Sequence, residues 1–393
     1  MNQKNIGHYF DWAATSPADE DILRSSLEET LAVWGNPSSV HSVGKEARAL
    51  LESARERCAD VLGVPPEKLF FTSGGTESDH IPLLSVLNRP QKGTVLVSSL
   101  EHPAVQNEAE ELKKCGWKVV LIPSNTAGII TPEAVLAKLT DDTVLVCVMA
   151  LNNETGAIQP VYEIADALEK AAAGRRRAKL HADCVQAAGK IPLDLSRAGI
   201  DSAAFSAHKI CGPRGIGILY LADPIEPFLR GGGQEKNIRS GTENVYGALA
   251  FSKCLERYYL NGKNAQAQER FALQRKYTRA FLEKISSIKG CTVIPAVRLE
   301  SEHEAEYSPW VVQTAFSGIP GQVMLRALDA EGFCISTGSA CSSRKNDRPV
   351  LEAMSVNAQL RETAVRFSFG PHTTASAMDE LAAKTAEIAG RFN

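Results

Sequence analysis

The chain has 393 residues, 44% of them hydrophobic and 23% charged, the profile of a globular protein rather than a disordered or fibrous one. That length exceeds what one small core organises, so two domains are expected. The 43 Lys and Arg nearly balance 46 Asp and Glu, for a net charge of −3, so no overall field recruits nucleic acid or an anionic membrane.

Nine cysteines are scattered with no C-x-x-C pair, which argues against a zinc ribbon, a thioredoxin-like site or a secreted disulfide framework. No metal site is expected, and a reducing cytoplasm fits. The start Met1-Asn2-Gln3-Lys4-Asn5 leads into no signal-peptide core, and no apolar run is long enough to span a bilayer, so neither export nor membrane insertion is expected.

Taken in chain order, Val43, Ala47, Leu50, Leu51, Ala54, Cys58 and Leu62 recur at helical spacing and predict an amphipathic helix within Ser38 to Leu62. Short β-rich runs follow at Leu69 to Thr72, Thr94 to Val97, Lys118 to Ile122, Thr143 to Met149, Ala203 to Ser206 and Ile216 to Leu221. Helical segments such as Pro132 to Leu139 and Val161 to Ala173 lie between them. Near-continuous apolar strands alternating with helices predict an α/β domain with a mostly parallel sheet covered on both faces. The basic run Arg175-Arg176-Arg177 reads as a solvated helix C-terminus.

After Gly231-Gly232-Gly233 the pattern changes to long helical segments from about Glu243 to Ile288. Further strand candidates follow at Val311 to Phe316, Phe333 to Ser336 and Ala364 to Phe369, which predict a smaller α/β domain. Residues 14–258 are assigned to the large domain, and residues 1–13 with 259–393 to the small one. A long helix is expected to connect them.

Three segments carry chemistry. Phe70-Phe71-Thr72-Ser73-Gly74-Gly75-Thr76-Glu77-Ser78 runs from a strand through two glycines into a helical pattern, a shape that can hold a phosphate at a helix N-terminus. It lacks the spacing of a P-loop and of the dinucleotide fingerprint, which demotes ATP and NAD. In Phe205-Ser206-Ala207-His208-Lys209 a buried-looking strand ends in a lysine, and desolvation there lowers an amine's pKa enough for Schiff-base chemistry. Asp183 closes the apolar run at Leu180. A carboxylate against a pyridinium nitrogen is what pyridoxal phosphate needs to act as an electron sink. Phosphate cup, acid and lysine together point to that cofactor.

With these residues in place, the chain resembles the class V aminotransferases of fold type I, and within them the cysteine desulfurases that supply sulfur for iron–sulfur clusters. The resemblance runs from Asp11-Trp12-Ala13-Ala14-Thr15 and Gly35-Asn36-Pro37-Ser38-Ser39 to Arg366-Phe367-Ser368-Phe369-Gly370. It includes Glu101-His102, Asn152-Asn153-Glu154-Thr155-Gly156, Arg239-Ser240-Gly241-Thr242 and Ser339-Ala340-Cys341.

The resemblance implies that Lys209 carries the cofactor, Asp183 pairs with its ring nitrogen and His102 stacks on its face. It further implies that Gln186 donates to the phenolic oxygen while Gly75, Thr76, Ser206 and His208 hold the phosphate. Thr242 is expected to reach the phosphate of a neighbouring subunit in a homodimer. Asn153 and Arg366, with help from Asn36, would bind the substrate carboxylate, and Asn153 also counts among the cofactor contacts. Cys341, on a small-residue loop of the long-loop type, would take sulfur from L-cysteine as a persulfide, leave L-alanine, and pass the sulfur to a scaffold or carrier protein.

Three departures from the pattern stand out: Trp12 for asparagine, Asp79-His80 for a pair of asparagines, and Ala207 for glycine. Trp12 puts a bulky indole where it can narrow the site's entrance. Selenocysteine lyase, aminotransferase, and a non-catalytic sulfur-carrier subunit retaining the fold are the alternatives.

Overall fold

A computed structural model describes residues 6–174, 176–338 and 348–392. The strands Leu69–Thr72 (β1), Thr94–Ser98 (β2), Lys118–Ile122 (β3), Thr143–Cys147 (β4), Lys179–Asp183 (β5), Ser202–Ser206 (β6) and Gly217–Leu221 (β7) form one sheet in the order β1-β7-β6-β5-β4-β2-β3. From β3 through to β6 every pairing is parallel. Only β7 runs the other way, between β1 and β6, so the C-terminal ends of β1, β2, β4, β5 and β6 all lie on one edge of the sheet. Strands β1, β2, β6 and β7 are buried throughout, as helical cover on both faces requires.

The helix Ser42–Leu62 shows why sequence and fold agree. Ala47, Leu51, Ala54, Cys58 and Leu62 are spaced to share one face, and all are buried. His41 accepts from Gly44 N at its start, and Gly63 ends it in the left-handed conformation with φ 71°. On the same helix, buried Arg55 donates to both carboxylate oxygens of Glu235, each at 2.7 Å, and Glu235 also accepts from Phe71 N at 2.8 Å. The pair ties β1, which leads into the glycine turn, to the segment after Gly233. There Glu235, Lys236 and Asn237 all have positive φ, a strained run that persists only where its surroundings fix it.

A second sheet, Cys291–Ile294 (β8), Val311–Phe316 (β9) and Ala364–Ser368 (β10), is antiparallel in the order β10-β9-β8. It has its own apolar cluster, in which Phe281 meets Phe367 and Phe369 edge-on at 5.4 Å. The helices Val245–Tyr258 and Ala265–Ser286 fill the stretch between the sheets, two helices where one long connection was expected. Phe10 and Ala13 pack into the smaller cluster, while Trp12 belongs to the larger one.

Two strand expectations change. Phe333 to Ser336 forms single bridges, Cys334 with Tyr9 and Ser336 with Arg366, rather than a strand. Its partners on the two sides are different segments, so no ladder extends. The run at Thr143 ends as a strand at Cys147, and the Met149 N–H instead donates to the Glu101 carboxylate at 2.6 Å. Arg177 is not simply solvated: it pairs with Asp201 at 2.6 Å and Glu169 at 3.1 Å.

Candidate active site

Five strand ends converge on a cavity of about 220 Å³, in the crevice where parallel sheets bind ligands. After β1, Gly74 has φ 154°, a conformation glycine adopts freely, and Gly75 opens the helix Gly75–Ser85. The first amides of a helix lack partners within it, and at this helix start Gly75 and Thr76 line the cavity wall together with Ser206 and His208. A Cβ on Gly75 would sit 2.6 Å from Val185 Cγ2, so the chain comes as close as an absent side chain permits.

Asp183, at the end of β5, is buried and accepts from Val185 N at 2.9 Å. Burial pushes its carboxyl up to about 6, against the pull of that N–H and of the Lys209 charge. Two further acids sit close by. Glu101 is pushed up to about 8 by burial and by Asp183. Asp79 is driven well above its usual value by burial, Asp183 and Glu101, and is bonded to His181 Nε2 at 3.1 Å. A buried carboxyl group so placed is suited to a cationic ring nitrogen.

His102 caps the helix Pro103–Lys114: its Nδ1 accepts from Ala104 N at 3.1 Å. Burial, with the Lys209 charge, lowers its pKa to about 4, so above that pH it is neutral. Because Nδ1 is the acceptor, the ring proton resides on Nε2. The residue is both a helix-start group and a wall of the cavity.

Lys209 follows β6 in the short turn Ala207–Lys209, and its Nζ donates to Ala13 O at 2.6 Å and Ala14 O at 2.7 Å. Gln186 Nε2 donates to the same Ala13 O at 2.7 Å. Arg366, on β10, is 1% exposed and donates to Asn153 O at 2.9 Å and Asp11 Oδ1 at 2.7 Å. Its Nε has no partner although it is buried. A guanidinium held on one side with spare donor capacity is fitted to a carboxylate.

The cavity therefore brings together Gly75, Thr76, His102, Asn153, Asp183, Gln186, Ser206, His208, Lys209 and Arg366. Asn36 and Thr242 are exposed and lie outside its lining. Cys341 lies outside the described residues. Trp12 does not narrow the entrance: it is 2% exposed and packs against Gly370, where a Cβ would come within 2.1 Å of the indole. Sequence reasoning missed buried Lys190, and it named Asp79 and Glu101 only as parts of the family pattern, with no role as acid neighbours of Asp183. A lysine four residues after Gln186 in an apolar stretch was the available signal for Lys190.

Residues 8–381 match the aminotransferase class-V family, and the chain belongs to that family. It is 36% identical over 391 residues to a NifS/IcsS protein homolog of Lactobacillus delbrueckii subsp. bulgaricus, covering 98% of each chain. It is 33% identical to a cysteine desulfurase IscS of Dictyoglomus turgidum, covering 93% of this chain and 90% of that one. A solved NifS-like protein superposes with a TM-score of 0.87 at 33% identity, over 98% of this chain and 99% of the other. The family depends on pyridoxal phosphate. The donor set fits that cofactor: a glycine-lined helix start for its phosphate, a buried carboxyl for its ring nitrogen, and an amine within the same cavity.

Proposed function

We propose that the chain is a pyridoxal-phosphate-dependent cysteine desulfurase that converts L-cysteine to L-alanine and leaves a persulfide on Cys341. The observation that carries this is the convergence of Lys209, Asp183 and Arg366 in one buried cavity, on a chain whose relatives include proteins named cysteine desulfurase. Lys209 and Asp183 hold the cofactor, with Gly75, Thr76, Ser206 and His208 at its phosphate. Bound there, the cofactor supplies an electron sink for a carbanion at the substrate's Cα.

The residues divide the remaining work. Arg366 and Asn153 receive the substrate carboxylate, with Asp11 keeping the guanidinium aimed; Asn36 is assigned a supporting part. Lys209 Nζ takes the Cα proton, and neutral His102 has an N–H on Nε2 to place against the ring or substrate. The Cys341 thiolate attacks the substrate sulfur: an S–S bond forms, the substrate's C–S bond breaks with its electron pair on carbon, and protonation of that carbon gives L-alanine.

The persulfide then passes to an acceptor protein for iron–sulfur clusters or thiolated products. The assignment extends to a homodimer in which Thr242, exposed here, reaches the neighbour's phosphate. It also includes a cytoplasmic setting and a division into a large domain, 14–258, and a small one, 1–13 with 259–393. Among the described residues no helix is long and apolar enough to cross a membrane.

The test is direct. Borohydride reduction and peptide mapping should leave a pyridoxyl group on Lys209, and Cys341→Ala should stay yellow while losing alanine production from L-cysteine. Alanine formation surviving unchanged in Cys341→Ala would remove the persulfide step.

A further inference from the structure

Lys190 is 7% exposed and borders a small void that Lys209 also lines. Its ammonium or amine nitrogen donates to Gln186 Oε1. Gln186 in turn donates from Nε2 to Ala13 O, the carbonyl that also accepts from Lys209 Nζ. A carboxamide has one acceptor and two donors on opposite arms. With Oε1 turned to Lys190 and one N–H to Ala13 O, the second N–H of Nε2 is the donor that remains.

From this chain of contacts we propose that Lys190 is a positioning residue, which fixes the orientation of the Gln186 amide and thereby the donor offered to the cofactor ring beside Lys209. The proposal rests on the reading that the cavity holds pyridoxal phosphate, whose phenolic oxygen is the acceptor such a donor suits.

The surroundings explain why a lysine can hold this post without disturbing the site. Burial weighs most heavily against a charge on it, and the cations Lys209 and Arg366 add to that penalty, while Cys211 opposes them. Those influences hold its amine well below the ordinary lysine value. Arg270 and Tyr258 line the same small void of about 30 Å³, with Trp12 and Trp310, and no carboxylate among the described residues borders it. Its Nζ can donate to Gln186 Oε1 in either protonation state, so the contact does not depend on a charge beside Lys209. A glutamine alone, free to turn over, would present its oxygen to an oxygen for part of the time.

The experiment follows the pH midpoint of the cofactor's visible band in purified holoenzyme. Lys190→Met removes the donor and keeps the length. Its midpoint should rise by about half to one pH unit, the equivalent of one ordinary hydrogen bond lost to the ring oxygen. Lys190→Gln, which restores an N–H, should bring the midpoint back toward the parent value. In a Gln186→Leu background, Lys190→Met should produce no further shift. Lys190→Leu serves as a second donor-free variant should the methionine protein fail to fold.

An unmoved midpoint in the donor-free variants, with or without loss of thermal stability, reduces Lys190 to a packing residue and overturns the proposal. A shift that persists undiminished without Gln186 overturns it equally, because the effect would then not pass through the amide. Failure of the cofactor reading itself is distinguishable: the parent protein would gain no visible band at all.

Discussion

Replacing Asp183 by asparagine should stabilise the cofactor-free protein while weakening its grip on the cofactor. The carboxyl ionises near 3.8 when free and is pushed up to about 6 by burial. Keeping it ionised in the cofactor-free fold at pH 8 thus costs roughly 3 kcal/mol, at about 1.4 kcal/mol per pH unit. Because the folded-state pKa is the higher one, its stability contribution is fully present below 3.8 and is lost as pH rises through about 6. Asparagine fills the same space and does not titrate. Cofactor-free Asp183→Asn should therefore exceed the cofactor-free parent by up to about 3 kcal/mol at pH 8, a lead that halves to about 1.5 kcal/mol near pH 5.

With pyridoxal phosphate bound that lead shrinks toward zero. The variant forgoes a charge-assisted hydrogen bond to the ring nitrogen, worth about 1.5–3 kcal/mol, so it should bind the cofactor roughly ten- to a hundredfold more weakly. Denaturant unfolding of both proteins at pH 5 and pH 8, each with and without pyridoxal phosphate, measures all four terms. The reasoning fails if cofactor-free Asp183→Asn is the less stable protein at pH 8, or if its lead does not shrink toward pH 5.

Three further outcomes follow from the geometry. Glu235→Ala strands Arg55 in a buried position and should cost about 3–5 kcal/mol in denaturant unfolding, with much of it regained when Arg55→Met is added. Arg366→Lys loses the two-pronged contact and should raise KM for L-cysteine about tenfold or more while leaving the cofactor's visible band and dissociation constant unchanged. Gly75→Ala drives a methyl into Val185 Cγ2 at 2.6 Å; it should weaken cofactor retention on gel filtration, and Val185→Ala in the same chain should restore it.

Much of this architecture was legible because its signals are local. The central strands are short apolar runs, and Lys209, Asp183 and Gly75 each stand where such a run stops, so their settings could be read from neighbouring residues. What escaped depends on distant partners. β8 is four residues long and ends against Pro295, too brief to carry a period. Phe333 to Ser336 has β-like residues but finds only single-residue partners. The aim of Arg366 is set by Asp11, 355 positions away, and its role came from family resemblance rather than from anything nearby in the sequence. Trp12 looked obstructive as an isolated indole; the glycine at 370 that gives it room is invisible without the fold.

The stretch from Tyr9 to Ser16 also bears on how the molecule is made. It supplies the carbonyls of Ala13 and Ala14 to Lys209, the Asp11 carboxylate to Arg366, and parallel bridges to Cys334 and Ser368. On the ribosome these first residues must therefore wait for nearly the last ones. The central sheet has all its strands by Leu221 and can begin to form while synthesis continues, yet the pocket gains its final wall only when residues around 366–370 have emerged. A grip on the substrate carboxylate is thereby deferred until translation is almost complete, and a chain cut short after the sheet would be folded in part but without the arginine that receives that group.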